Sequence, residues 1–299
     1  MPFDYTIYGL GVQSELELPE LCAREAVGPV DVMIRYGGVP LQRRDPEMTI
    51  WVENRASPAR ARCGFESVGC FEVREGNTIL VDPKPGADPA LVRHVLLGPV
   101  LAYVLWQRGF FALHASVLRV EGRYLGFVGE SGQGKSTTAI ALARSGSALV
   151  CDDIAAIPWR ESPIRVLPAF PRIRLYPDTV RGVGEDPDQL PHVHSLIDKR
   201  LVTAPEFIDH PVALDRIYVL ETDGDFRLER LSARAALMQM IRHSYSVQYQ
   251  ALVLGVGRHM EMAAGVARGV AVYRLFRPKD LNRLPDLVRF IQDVSRQGD

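Results

Sequence analysis

Residues 129–136 read Gly129-Glu-Ser-Gly-Gln-Gly-Lys-Ser136 and fill every fixed position of the phosphate-binding pattern G-x-x-x-x-G-K-[ST]. The flanks suit it. Before it, Tyr124–Val128 is a short apolar run with the composition of a buried strand. After it, Thr137–Arg144 follows a helix pattern that Gly146 ends. Strand, glycine loop and helix together predict a cradle for a nucleotide, built by Gly129, Glu130, Ser131, Gly132, Gln133, Gly134, Lys135, Ser136 and Thr137. Backbone N–H groups and the positive helix end would face the phosphates. Lys135, expected to be exposed in this cradle, would reach the β- and γ-phosphates, and the Ser136 hydroxyl would take a place on Mg²⁺.

A second feature follows directly. The apolar run Ala148–Cys151 reads as a strand and ends in Asp152-Asp153, after which Ile154–Ile157 is apolar again. Open α/β sheets place ligands at the carboxyl ends of their strands. In an extended chain the two carboxylates would point to opposite sides. One could then hold Mg²⁺ while the other faces an incoming hydroxyl.

The stretch Gly129–Asp153 resembles the core of the HPr serine kinase family. That family has a paired Asp at this spacing after its phosphate loop, and a His about fifteen residues before the loop, where Leu113-His-Ala-Ser116 supplies His114. The resemblance covers about residues 110–160 well and the chain to about 280 more weakly. It implies Asp152 as catalytic acid/base, His114 beside the transferred phosphate, and Asp153 with Ser136 on Mg²⁺. The family's downstream signature E-[IV]-R-G-[LI]-G-[IL] is absent, and residues 1–105 do not resemble its N-terminal domain. The chain is more similar to HPr-kinase-like proteins encoded beside peptide-modifying machinery, including kinases of lasso-peptide precursors. Those share the Leu-His-Ala-Ser segment, the Arg174-Leu-Tyr-Pro-Asp178 type of segment and Asp198-Lys-Arg200. The resemblance implies ATP and Mg²⁺ as cofactors, a peptide or small-protein substrate, and a homo-oligomer.

Positive charge is needed around a moving phosphoryl group. Arg172, Arg174, Lys199 and Arg200 are the candidates to clamp the phosphates or an acidic substrate. No N-K-x-D base-recognition segment and no L-S-G-G-Q segment occurs, which argues against a GTPase and an ABC-type ATPase. A nucleotide-binding sensor without transfer and a small-molecule kinase remain as alternatives.

The 299 residues carry 47% hydrophobic and 24% charged residues, ordinary globular values that allow a sizeable core. The formal net charge of −1 argues against a nucleic-acid or anionic-membrane surface as partner. Four cysteines without a CxxC pair read as reduced thiols in a cytoplasmic protein, with Cys63 and Cys70 as the one candidate pair. Met1-Pro-Phe-Asp-Tyr5 lacks signal-peptide features, and the apolar stretch Leu96–Trp106 is too short to span a bilayer.

The expected fold is an α+β variant of the phosphate-loop α/β class, with an HPr-kinase-like core at 88–299 and a smaller β-rich domain at 1–87. The β runs of the smaller domain are 31–36, 48–52, 70–74 and 78–81. Its exposed edges are candidates for recognising an extended peptide. A helix is expected over 90–108, strands at 165–167, 172–176, 217–220 and 271–275, and helices at 232–242, capped by Ser232, and 284–296. Residues 182–194, rich in Gly, Pro, Asp and His, read as a mobile loop closing over the acceptor.

Overall fold

The structure is a computed structural model that describes residues 2–24, 28–41, 49–52 and 59–297. Met48, in the expected strand 48–52, lies outside the described residues; Ile50–Val52 is a strand. The protein is mixed α/β with several sheets.

The N-terminal part builds the larger sheet. Its described strands run in the order Cys22–Ala23, Phe3–Ile7, Leu10–Ser14, Val32–Tyr36, Thr78–Pro83, Gly69–Arg74, Arg60–Phe65, Ile50–Val52. Alternation puts one face inward: Ile7, Val12, Ile34, Phe71, Val73, Ile79 and Val81 are all buried. Cys63 and Cys70 lie on neighbouring strands as free thiols rather than a bridge.

A helical rod, Pro89–Gln107, packs beneath this sheet. Asp88 caps it by accepting from Ala90 N–H at 2.8 Å, and Pro89 takes the first turn, where a missing N–H costs nothing. A π turn at Leu96–Val100 accommodates Pro99, so the helix runs past the point where a proline would break it. At 19 residues it extends beyond Leu96–Trp106 and is long and apolar enough to cross a membrane by length and composition, but 72% of its most apolar window is buried inside the protein. Trp106, Leu101 and Leu105 are fully buried. One apolar cluster joins Ile7, Phe71 and Val73 of the N-terminal sheet to Trp106, Phe111, Val150 and Val272, so it runs across residue 87 without interruption.

The second sheet has the order Ala148–Cys151, Ala115–Val120, Arg123–Val128, Arg216–Thr222, Ala271–Arg277, Arg227–Arg230. Arg123–Val128, Arg216–Thr222 and Ala271–Arg277 are parallel neighbours. Ala148–Cys151 points the same way, because two antiparallel pairings separate it from Arg123–Val128. Four carboxyl ends therefore meet at one edge, where such sheets hold ligands. Helices Lys135–Arg144 and Leu284–Arg296 cover one face over a second apolar cluster around Phe127, Ile140, Leu142 and Leu287.

A three-stranded antiparallel sheet, Arg172–Leu175, Ile197–Thr203 and His192–His194, forms a roof beside that edge. Ile173 and Leu175 point into the core, so Arg172 and Arg174 share the opposite face. The segment 182–194, expected as a mobile loop, follows the helix Pro177–Gly182 and carries a 3-10 turn at Pro187–Gln189 and the strand His192–His194. Its strand hydrogen bonds outweigh the turn-rich composition on which the loop reading rested.

Candidate active site

The glycine loop leaves strand Arg123–Val128 and enters helix Lys135–Arg144 directly. Gly134 sits at the helix start with φ 78°, a left-handed backbone that a side chain would strain. A Cβ there would also meet the Arg277 guanidinium at 2.5 Å. The loop is braced from two distant strand ends. Arg277 donates to the Gln133 carbonyl, and the Thr222 hydroxyl donates to Gln133 Oε1 at 3.0 Å. Arg277 is buried, and its Nη1 donates to Pro278 O at 3.1 Å.

Lys135 is only 8% exposed, against the expectation of an exposed lysine, because the loop wraps it. Its Nζ donates to Gly129 O at 2.7 Å and Glu130 O at 3.4 Å. Burial lowers its pKa, and Asp153, Asp152 and Glu130 work against that fall.

Asp152 is buried at the end of Ala148–Cys151. Ser116 Oγ donates to its Oδ1 at 2.5 Å, and Ser136 Oγ lies 3.2 Å from both of its carboxylate oxygens. Burial raises its pKa, and the Asp153 charge adds to the rise against the two serines and Arg174. The next residue turns away. Asp153 has φ 75°, a left-handed conformation rare outside glycine and tolerated by Asp and Asn. Its Oδ1 meets His114 Nδ1 at 3.3 Å, and its Oδ2 accepts from Arg174 Nη1 at 3.2 Å. Burial pushes this carboxyl up, but His114 and Arg174 outweigh it and hold the group well below the usual carboxylate range. The two carboxylates do point apart, through a left-handed turn rather than an extended chain. The carboxylate that meets Ser136 is Asp152, where the sequence reading paired Ser136 with Asp153.

These groups line one cleft of about 360 Å³. His114, Ser131, Gly132, Gly134, Lys135, Ser136, Thr137, Asp152, Asp153, Arg174 and Lys199 all face it. Other expected residues lie elsewhere. Glu130 pairs with Arg242 at 2.6 Å. Gly129 and Gln133 serve the loop from behind, through their carbonyls. Arg200 is buried under the roof, bonded to Pro187 O at 2.9 Å and Asp198 at 2.6 Å. Arg172 lines a separate chamber. Ser116 and Arg277 were not singled out from the sequence. Ser116 sits in the Leu113–Ser116 segment beside His114, and only the antiparallel pairing of Ala115–Val120 with Ala148–Cys151 reveals its partner. Among the described residues no group of three or more His, Cys, Asp or Glu is arranged to hold a metal ion.

The local sequence has relatives. Over 99 residues the chain is 33% identical to the HPr kinase/phosphorylases of two Clostridium botulinum strains, Eklund 17B (type B) and Alaska E43 (type E3). The match covers 33% of this chain and 32% of each relative. This is similarity over a third of the length of the curated relatives. No family model matches the chain. Among solved structures, the HPr(Ser) kinase/phosphatase of Coxiella burnetii aligns with 62% of this chain and 99% of its own, at 15% identity and a TM-score of 0.34.

Proposed function

We propose that the protein is an ATP- and Mg²⁺-dependent phosphotransferase that moves the γ-phosphoryl group to a hydroxyl, with a serine of a peptide or small protein as acceptor. The carrying observation is the divided pair Asp152–Asp153, one turned to the loop hydroxyl Ser136, the other to His114 and Arg174 in the same cleft. Neighbouring carboxylates with oppositely shifted proton affinities are a mark of divided chemical roles.

Bound Mg²⁺ would supply positive charge that offsets the charge developing on the phosphates during transfer. Ser136 and Asp152 fit it: a buried carboxylate with a hydroxyl across it suits a hard cation that keeps most of its other ligands from phosphate and water. Lys135 and the loop amides hold the phosphates. Arg174 and Lys199 line the same cleft from the roof and would meet the γ-phosphate there. In the transfer, the acceptor oxygen bonds to the γ-phosphorus as the bond to the β–γ bridging oxygen breaks, and ADP leaves. The hydroxyl donates to Asp153, which His114 and Arg174 orient, and its proton is relayed from there to an oxygen of the transferred phosphate, which binds it more tightly than this depressed carboxylate. This exchanges the roles that the sequence resemblance gives to Asp152 and Asp153. Precursors of lasso-type peptides are the proposed acceptor class, in a cytoplasmic, self-associating enzyme.

Incubation with Mg²⁺, γ-labelled ATP and serine-containing precursor peptides tests the reading. Phosphoserine formation that Asp153→Asn abolishes supports it. Nucleotide binding with no labelled acceptor of any kind replaces it with a sensor.

A further inference from the structure

Behind the Asp152–Asp153 pair lies a second chamber of about 420 Å³. Arg174, His94 and Val193 wall both this chamber and the passage in which Ser136, Asp153 and Lys199 meet, so the two spaces adjoin at Arg174. The chamber walls come from distant parts of the chain. Glu20 belongs to the N-terminal part, His94 and Leu97 to the helical rod, and Phe170, Arg172 and Leu201 to the roof.

Three polar atoms of these walls are buried without a hydrogen-bond partner: Glu20 Oε2, His94 Nδ1 and Arg172 Nε. Each residue is otherwise anchored. Glu20 Oε1 accepts from Arg93 Nε at 2.9 Å, Arg172 Nη1 donates to Thr203 Oγ1, and the His94 ring lies tilted against His194 with 4.7 Å between ring centroids. Buried polar atoms are rarely left unpaired, and three gathered at the walls of one chamber give a bound molecule partners to meet. The set is chemically specific: a fixed acceptor, a fixed donor and an imidazole nitrogen. Burial holds His94 neutral, with its pKa pushed down to about 3. Arg93 neutralises Glu20, and Arg172 and Arg174 also line the chamber, so charge alone does not select its occupant; the acceptor oxygen of Glu20 does favour a ligand that carries an N–H. A peptide unit supplies one N–H and one C=O, and the apolar walls Leu97, Phe170 and Leu201 suit its side chains.

We propose that this chamber seats the acceptor as a short peptide segment, its N–H on Glu20 and its carbonyl on Arg172, with the hydroxyl reaching past Arg174 to Asp153. The inference rests on the phosphotransferase reading and gives it a substrate site.

The probe is N-acetyl-leucyl-serine methylamide, whose binding to the full chain is followed by NMR at millimolar concentration. Arg172→Met should weaken binding about tenfold, the worth of one hydrogen bond to a charged group. Ala90→Trp, which fills the chamber from the rod, should abolish it. Both variants should keep wild-type ATP affinity by calorimetry. Equal binding to wild type and Arg172→Met, or no binding to wild type, overturns the proposal. So does a parallel loss of ATP affinity, which would assign the chamber to the nucleotide base. If the probe binds as expected but no phosphate ever reaches a hydroxyl, the chamber stands and the phosphotransferase reading falls.

Discussion

Ser136 and Asp152 are joined by a hydroxyl that lies 3.2 Å from both oxygens of the carboxylate. This contact places Asp152, and not Asp153, on the phosphate-loop side of the pair. The two neutral variants should therefore fail differently. Asp152→Asn should cost most of the Mg²⁺-dependent gain in ATP affinity. Asp153→Asn should leave affinity within about twofold and slow transfer by roughly 10²–10⁴, the usual worth of a positioned acid/base. Asn tolerates the left-handed φ of 75°, so the second variant isolates chemistry from backbone strain. Calorimetry and single-turnover kinetics separate the outcomes, and the reverse pattern would restore the roles read from the sequence.

Lys135 is a buried ammonium held by two carbonyls. Lys135→Met keeps the stem and removes a desolvated charge. ATP affinity should fall at least tenfold, while the melting temperature stays within a few degrees. Unchanged affinity would refute the phosphate loop.

Glu72 has no exposed side-chain surface and accepts from both Arg62 and Arg74. Burial pushes its pKa up, but the two arginines win and the net shift is downward. A depressed carboxyl binds its proton more weakly folded than unfolded. Its stabilisation is thus full above the ordinary glutamate pKa, and is lost as pH falls below it. Glu72→Gln should cost about 1.5–3 kcal/mol at neutral pH, the range for hydrogen bonds to charged groups. That difference should shrink in urea titrations carried to acidic pH. A pH-independent difference would mean packing, not charge.

A chain beginning at residue 88 would lose Ile7, Phe71 and Val73 from the cluster that holds Trp106. It should not fold cooperatively, and Trp106→Ala in the full chain should cost about 3–5 kcal/mol. Near-UV circular dichroism and thermal melting check both. A folded, ATP-binding fragment would make 88–299 an independent domain.

The strand, loop and helix at 123–144 and the strand before the Asp pair were legible because each carries its own local signal: a short apolar run, a glycine pattern, a 3.6-residue period. Helix Leu284–Arg296 was legible for the same reason, with Ile291 and Leu287 on one buried stripe. What local signals could not give was direction. The left-handed turn at Asp153 decides which carboxylate meets Ser136, and nothing in Asp-Asp announces it. Hairpins at Tyr8-Gly9 and Glu121-Gly122 were missed because a bulky or acidic first turn residue hides a positive φ. Helices Val247–Leu254 and Val256–Gly269 were missed too. They turn on one another at Gly255, with Val253 and Met262 buried, in a stretch whose composition gives no clean boundary. Arg200 was taken for a clamp on its segment alone; its fork is spent on Pro187 and Asp198.

The brace between Arg277 and Gln133 spans 144 positions of sequence. Lys279, Leu281 and Leu284 then close the same cleft. During synthesis the glycine loop therefore emerges long before the residues that fix it. A nascent chain carries the complete motif yet lacks a finished pocket until strand Ala271–Arg277 has left the ribosome and paired with Arg216–Thr222. Nucleotide would then report completion of the cleft, not the mere presence of its signature.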